Sequence, residues 1–95
     1  MSGRLLHIRR AAVPAVLGEF ARVVRPDGEL YLFVAEGDGE NWEVASKYGS
    51  TRRRWFTYHR VPGVTAMLVA AGFEVRQVRQ SRSSREWLSI LNCRT

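Results

Sequence analysis

Apolar residues recur at three- and four-residue intervals over 11–25: Val13, Val16, Leu17, Phe20, Val23 and Val24. That spacing lays one stripe along one face of a helix. Glu19, Arg22 and Arg25 fall largely outside it. Pro14 suits the first turn, where its missing N–H costs little. Arg25-Pro26-Asp27-Gly28 then stops the helix and makes a tight turn. Over 29–36 the period changes to two, with Leu30, Leu32 and Val34 on one side and Tyr31, Phe33 and Ala35 on the other. Both sides are apolar, so this strand requires cover on both faces. A second helix is predicted over 62–71, with Val64, Met67, Leu68 and Ala71 as its stripe and Gly72 as its stop. Residues 73–80 read as a strand in which Val78 breaks the alternation and marks a bulge. After the polar turn Ser81–Arg85, residues 86–94 form a last strand, with Trp87, Leu91 and Cys93 on one face and Leu88 and Ile90 on the other. The short connection makes 73–94 an antiparallel hairpin.

Two stretches carry weaker signals. Residues 1–10 read as the tail of a strand followed by a loop. Residues 37–61 open on the turn Gly37-Asp38-Gly39-Glu40, then place Trp42, Val44 and Tyr48 in a short helix or packed loop, and become extended at Trp55-Phe56-Thr57-Tyr58. A connection this long is often functional. The expectation is one α/β domain over 1–95, with three strands and two main helices. Two of those strands look central, and three strands offer a single central place. The sheet therefore requires a further strand, from a missing segment or a second copy.

Composition narrows the setting. Net charge is +6 and the pI about 10.7, a balance that admits nucleic-acid binding. The charge comes from scattered arginines with a single lysine, Lys47. The single cysteine, Cys93, excludes an internal disulfide and reads as a small hydrophobe. No apolar run reaches membrane-spanning length, and no leader pattern follows the basic N-terminus, so the expectation is a cytoplasmic protein without a membrane association.

The ordered motifs resemble one family. Leu5-Leu6-His7-Ile8, the helix and turn Val16–Gly28, the stretch Arg53–Tyr58, Ala70-Ala71-Gly72-Phe73-Glu74-Val75 and Trp87–Leu91 are similar, in order and spacing, to class I S-adenosylmethionine (SAM)-dependent methyltransferases. The resemblance covers nearly the whole chain. It implies a Rossmann-like sheet with helices on both faces, whose last strand is antiparallel and central. In the family, a glycine-rich loop after the first strand and an acidic residue ending the second hold the cofactor; neither segment is present. The resemblance thus implies the C-terminal portion of a methyltransferase, with SAM as the family's cofactor but none bound by this chain alone. Completion by a second copy or a partner chain is expected. Val24 stands for a usual leucine and Asp27 for a usual glycine. Gly63 replaces a usual acidic residue and weakens that helix start by about 1 kcal/mol.

Candidate chemistry is sparse. By resemblance, Leu6 and His7 would border the cofactor once the missing half is supplied, and Arg54, Trp55 and Tyr58 would flank the methyl acceptor. His7 could serve as a base near neutral pH, or be a loop histidine held by local hydrogen bonds. Arg52-Arg53-Arg54 beside Trp55, Phe56 and Tyr58 could also bind single-stranded nucleic acid, or the aromatics could be core and the arginines solvated. Gly37-Asp38-Gly39 is read as a plain turn, because its acids would repel phosphate. His59 has no neighbour at metal-ligand spacing, so no metal site is expected, and no catalytic residue is assigned. The alternative to a methyltransferase fragment is a basic binding or dimerisation module.

Overall fold

The computed structural model describes residues 1–45 and 52–95. The first predicted helix folds as α1, Val13–Val23, behind a single 3-10 turn over Arg10–Ala12. Its buried line is Val13, Leu17 and Ala21, continued by Val24. Val23, expected on that stripe, is instead 61% exposed, because Ala21 holds the inner position one turn after Leu17. The second helix, α2, spans Val61–Ala70 and buries Val64 and Leu68.

The strands are β1 (Ser2–Arg4), β2 (Glu29–Glu36), β3 (Glu40–Ala45), β4 (Arg52–His59), β5 (Phe73–Arg82) and β6 (Glu86–Arg94). They lie in the order β3-β4-β2-β6-β5, with β1 also paired to β2. β2 and β6 are both interior, as their two apolar faces required, and β6 runs antiparallel between β2 and β5. The predicted bulge is present one step earlier than Val78: the register shifts between Val75 and Gln77, so Val75 and Val78 both turn toward the core.

Among the described residues six strands replace the expected three. β1 escapes the periodicity because its three residues, Ser2-Gly3-Arg4, carry no large apolar side chain. It pairs parallel with Tyr31–Phe33 and supplies the neighbour that β2 lacked. β3 and β4 form a hairpin in which Trp42 faces Trp55 across the strands. Cross-strand aromatic pairs stabilise such ribbons. Trp42 and Val44 therefore lie in a strand rather than a helix or loop; Tyr48 falls outside the described residues. β4 then joins β2 in parallel at Ala35 and Glu36, just beyond the point where β1 ends.

One core holds the domain. Leu30, Leu32 and Val34 of β2 and Leu88 and Ile90 of β6 pack under α1 and α2 with Leu5, Val13, Leu17, Val64, Leu68 and Phe73. Both helices lie on this face. The opposite face, with Tyr31, Phe33, Trp87 and Leu91, has no layer over it among the described residues, and Tyr31 is 45% exposed. The cover on both faces that β2 calls for is thus present on one.

Candidate functional site

The carboxyl ends of β1, β2 and β4 converge, which is where open α/β sheets bind ligands. β1 runs on through Leu5, whose N–H donates to the Phe33 carbonyl at 3.2 Å. The chain then bends at Leu6 and His7, and the Leu6 carbonyl accepts from the Thr57 N–H at 2.8 Å. That bond ties the end of β1 to β4. His7 Nδ1 lies 2.8 Å from the Trp55 carbonyl and, since a carbonyl only accepts, donates to it. The His7 ring meets Phe56 edge-on, with centroids 5.0 Å apart.

The hairpin presents two stacks. In one, the Arg9 guanidinium lies 4.0 Å from the Trp55 ring centroid, and Trp55 meets Trp42 edge-on at 5.4 Å. In the other, Arg85 lies 4.4 Å from the Phe56 centroid and donates to the Tyr58 hydroxyl at 2.6 Å. The Tyr58 hydroxyl donates in turn to Glu43. Burial, reinforced by the bond to Glu43, raises the Tyr58 pKa and keeps the phenol protonated. Tyr58 can therefore donate a hydrogen bond but is a poor base.

A polar knot fixes the hairpin to the bend. Thr57 Oγ1, fully buried, donates to the Ile8 carbonyl at 2.5 Å and accepts from Trp55 Nε1 at 3.0 Å. Glu40 accepts from the Arg10 N–H at 2.7 Å, a bond that lowers its pKa. His59, 1% exposed, has both ring nitrogens without a hydrogen-bond partner. Burial, with Arg10 nearby, depresses its pKa to about 4.

The structure sets His7 against the Trp55 carbonyl and the Phe56 ring, and Arg85 joins Phe56 to Tyr58, while the Trp55 side chain lies with Thr57 on the other face of β4. Arg54 is exposed on β4, in register with the Glu43 that bonds Tyr58. Sequence reasoning missed Arg9, Glu43 and Arg85, which the fold carries in from three separate segments. The one available signal was the polar–aromatic mixture of the hairpin. The acids at the strand ends already have partners. Asp38 takes two bonds from Arg60, at 2.8 and 3.0 Å, and its pKa is lowered by that contact. Glu36 accepts from Gln80 at 3.1 and 3.2 Å. Gly37–Gly39 forms a turn leading into β3. Among the described residues, no group of three His, Cys, Asp or Glu could hold a metal, and no helix is long and apolar enough to cross a membrane.

No model of a known protein family matches the chain, and no curated protein does. Solved structures do. A SAM-dependent methyltransferase from Methanosarcina mazei aligns over 98% of this chain and 57% of its own, with TM-score 0.82 and 13% identity. The 1,6-didemethyltoxoflavin-N1-methyltransferase of Burkholderia thailandensis, solved with 1,6-didemethyltoxoflavin and S-adenosylhomocysteine, aligns over 99% of this chain and 43% of its own. Its TM-score is 0.73 at 20% identity. A SAM-dependent methyltransferase from Mesorhizobium loti aligns over 98% and 59%, with TM-score 0.68 and 11% identity. The chain spans about half the length of these structures. Its strand order, its interior antiparallel β6 and its one-sided helix layer are accordingly the fold of part of a SAM-dependent methyltransferase domain.

Proposed function

We infer that the chain is the C-terminal, acceptor-side part of a SAM-dependent methyltransferase and does not hold SAM by itself. The observation that carries this reading is the match of nearly the whole chain to about half of each methyltransferase, together with a sheet face that has no cover. Residues 1–95 form a single unit in this reading. Leu6 and His7, at the end of β1, border the cofactor when the remaining segment is present. Trp55, Tyr58 and Arg54 stand on the acceptor side, with Phe56 and Arg85 holding Tyr58 in place.

The outer edge of β1 is the place for a further strand, supplied by a second copy or a partner chain in the cytoplasm. Light scattering on the eluting protein checks this; a stable monomer speaks against it. Calorimetric titration of the chain with SAM tests the main reading. No heat at millimolar cofactor is expected, and binding at micromolar concentration would overturn it.

The Arg9–Trp55–Trp42 stack favours a second reading, a single-strand nucleic-acid surface, since Trp42 is 52% exposed. Titration with a short oligonucleotide across a salt series separates the two. Tight binding that weakens steeply with salt would support the second.

A further inference from the structure

The geometry points to a specific occupant for the open sheet face: an amphipathic helix of another polypeptide, with carboxylates on both flanks of its apolar stripe. This rests on the reading that a second segment completes the domain, and adds the chemistry of the segment that lies on this face.

Four residues align across the strands in one row: Arg4, Phe33, Ser89 and Arg79. On either side of Phe33 and Ser89 lie two shallow depressions, of about 320 and 300 Å³. Leu6 and Trp87 line the first, Tyr31 and Leu91 the second. An apolar strip thus runs along β2 and β6 between two exposed arginines. Arg4 and Arg79 sit on strands three spacings apart, about 14 Å at roughly 4.8 Å per strand. A helix with its side chains is about 10–12 Å wide. One helix fills that gap and brings its two flanks to the two guanidinium groups.

Charge selects the occupant. A second copy stacked on this face would set arginines against arginines in a chain of net charge +6. Its own helices are already docked on the far side of its sheet and carry one carboxylate between them, Glu19. A carboxylate-flanked helix instead pairs with both arginines and covers the strip. Of the acids of this face, Glu29 and Glu74 lie in a separate row with Cys93, and Glu43 is engaged by Tyr58 and Arg85. The occupant's carboxylates therefore belong at the Arg4–Arg79 level, which fixes its placement along the strands.

The test uses the full chain and two labelled synthetic helices that share a leucine stripe, one flanked by glutamates and one by lysines. Fluorescence anisotropy should show the glutamate helix binding at least about tenfold more tightly, the scale of electrostatic selection at an interface. The double variant R4E/R79E should reverse that preference. The variant R22E/R25E, equal in charge change but on the α1 side, should keep it; circular dichroism establishes that each is folded. Equal binding of both helices, binding of neither, or an unchanged preference in R4E/R79E would overturn the proposal. So would a homodimer that R4E/R79E dissociates, since a second copy would then be the occupant. The readout needs no cofactor, so its failure is distinct from failure of the methyltransferase reading.

Discussion

His59 shows how one buried side chain couples this fold to pH. Its ring is 1% exposed and neither nitrogen has a partner, so the neutral form is the one the core accepts. Its pKa of about 4 in the folded chain stands against 6.5 when unfolded. Above pH 6.5 the ring is neutral in both states and costs nothing further. As pH falls below that value the unfolded chain takes up the proton first, so stability drops until the folded ring protonates near pH 4. The loss across this window is roughly 3 kcal/mol. Urea midpoints measured from pH 7 to 4.5 should show it. His59→Leu should flatten the slope, and at neutral pH it should cost little, because it removes two unsatisfied buried nitrogens. An unchanged slope in that variant would refute the assignment. Asp38 and Glu40, both lowered in the fold, add to the loss only below about pH 5, where their unfolded carboxyls begin to protonate, so His59 is read from the slope above that pH.

At the level of elements, the turn from α1 to β2 explains a departure that sequence alone could only note. Gly28 N–H donates to the Arg25 carbonyl at 2.8 Å, and Asp27 has φ +65°. With Pro26 second and Asp27 third at positive φ, the turn is of the type II kind, whose third position glycine favours. Asp27→Gly should relieve about 1 kcal/mol of left-handed strain, against about 0.5 kcal/mol of added unfolded-state freedom. A net gain of a few tenths is expected, and Asp27→Val should lose about 1 kcal/mol. Thermal melts of the two variants check the sign. The neighbouring residues Trp87 and Leu88 make a second contrast, because β6 turns one toward the open face and the other into the core. Leu88→Ala should cost about 3 kcal/mol. Trp87→Ser in the chain alone should cost about 1 kcal/mol or less. Comparable losses in denaturant titrations would mean that the open face is packed after all. Periodicity located α1, α2, β2 and β6 because each places large apolar residues at a fixed interval. It passed over β3, and the strand tail in 1–10 and the extended stretch Trp55–Tyr58, which are β1 and part of β4, were not counted among the strands of the sheet. β1 is too short to repeat, and the hairpin is held by cross-strand aromatics and polar side chains instead of an alternating apolar face.

For the whole molecule, the asymmetry of the sheet is the governing feature. Among the described residues fifteen hydrophobic side chains are buried, nearly all in the core under the two helices. On the other face Phe33, Tyr31, Trp87 and Leu91 line open depressions. Exposed apolar patches of this kind mark interaction sites. The same asymmetry accounts for a chain that matches about half of each methyltransferase. At one end of the sheet the Leu6 carbonyl is tied to Thr57 of β4 and the His7 ring packs on Phe56.

Local order in the sequence was enough to determine the main helices, the interior strands and the hairpin 73–94, while the further neighbours that the interior strands required came from β1, β3 and β4 of the same chain. Each follows from apolar residues spaced to suit one element, and a doubly apolar strand has to have neighbours. Which neighbours it found, and which face stayed open, depended on contacts between residues far apart in the chain. Arg9 against Trp55, Arg85 against Tyr58, and Arg4 in line with Arg79 have no periodic signature. They exist because hydrogen bonding and packing set the register of six strands, and no single segment encodes that register.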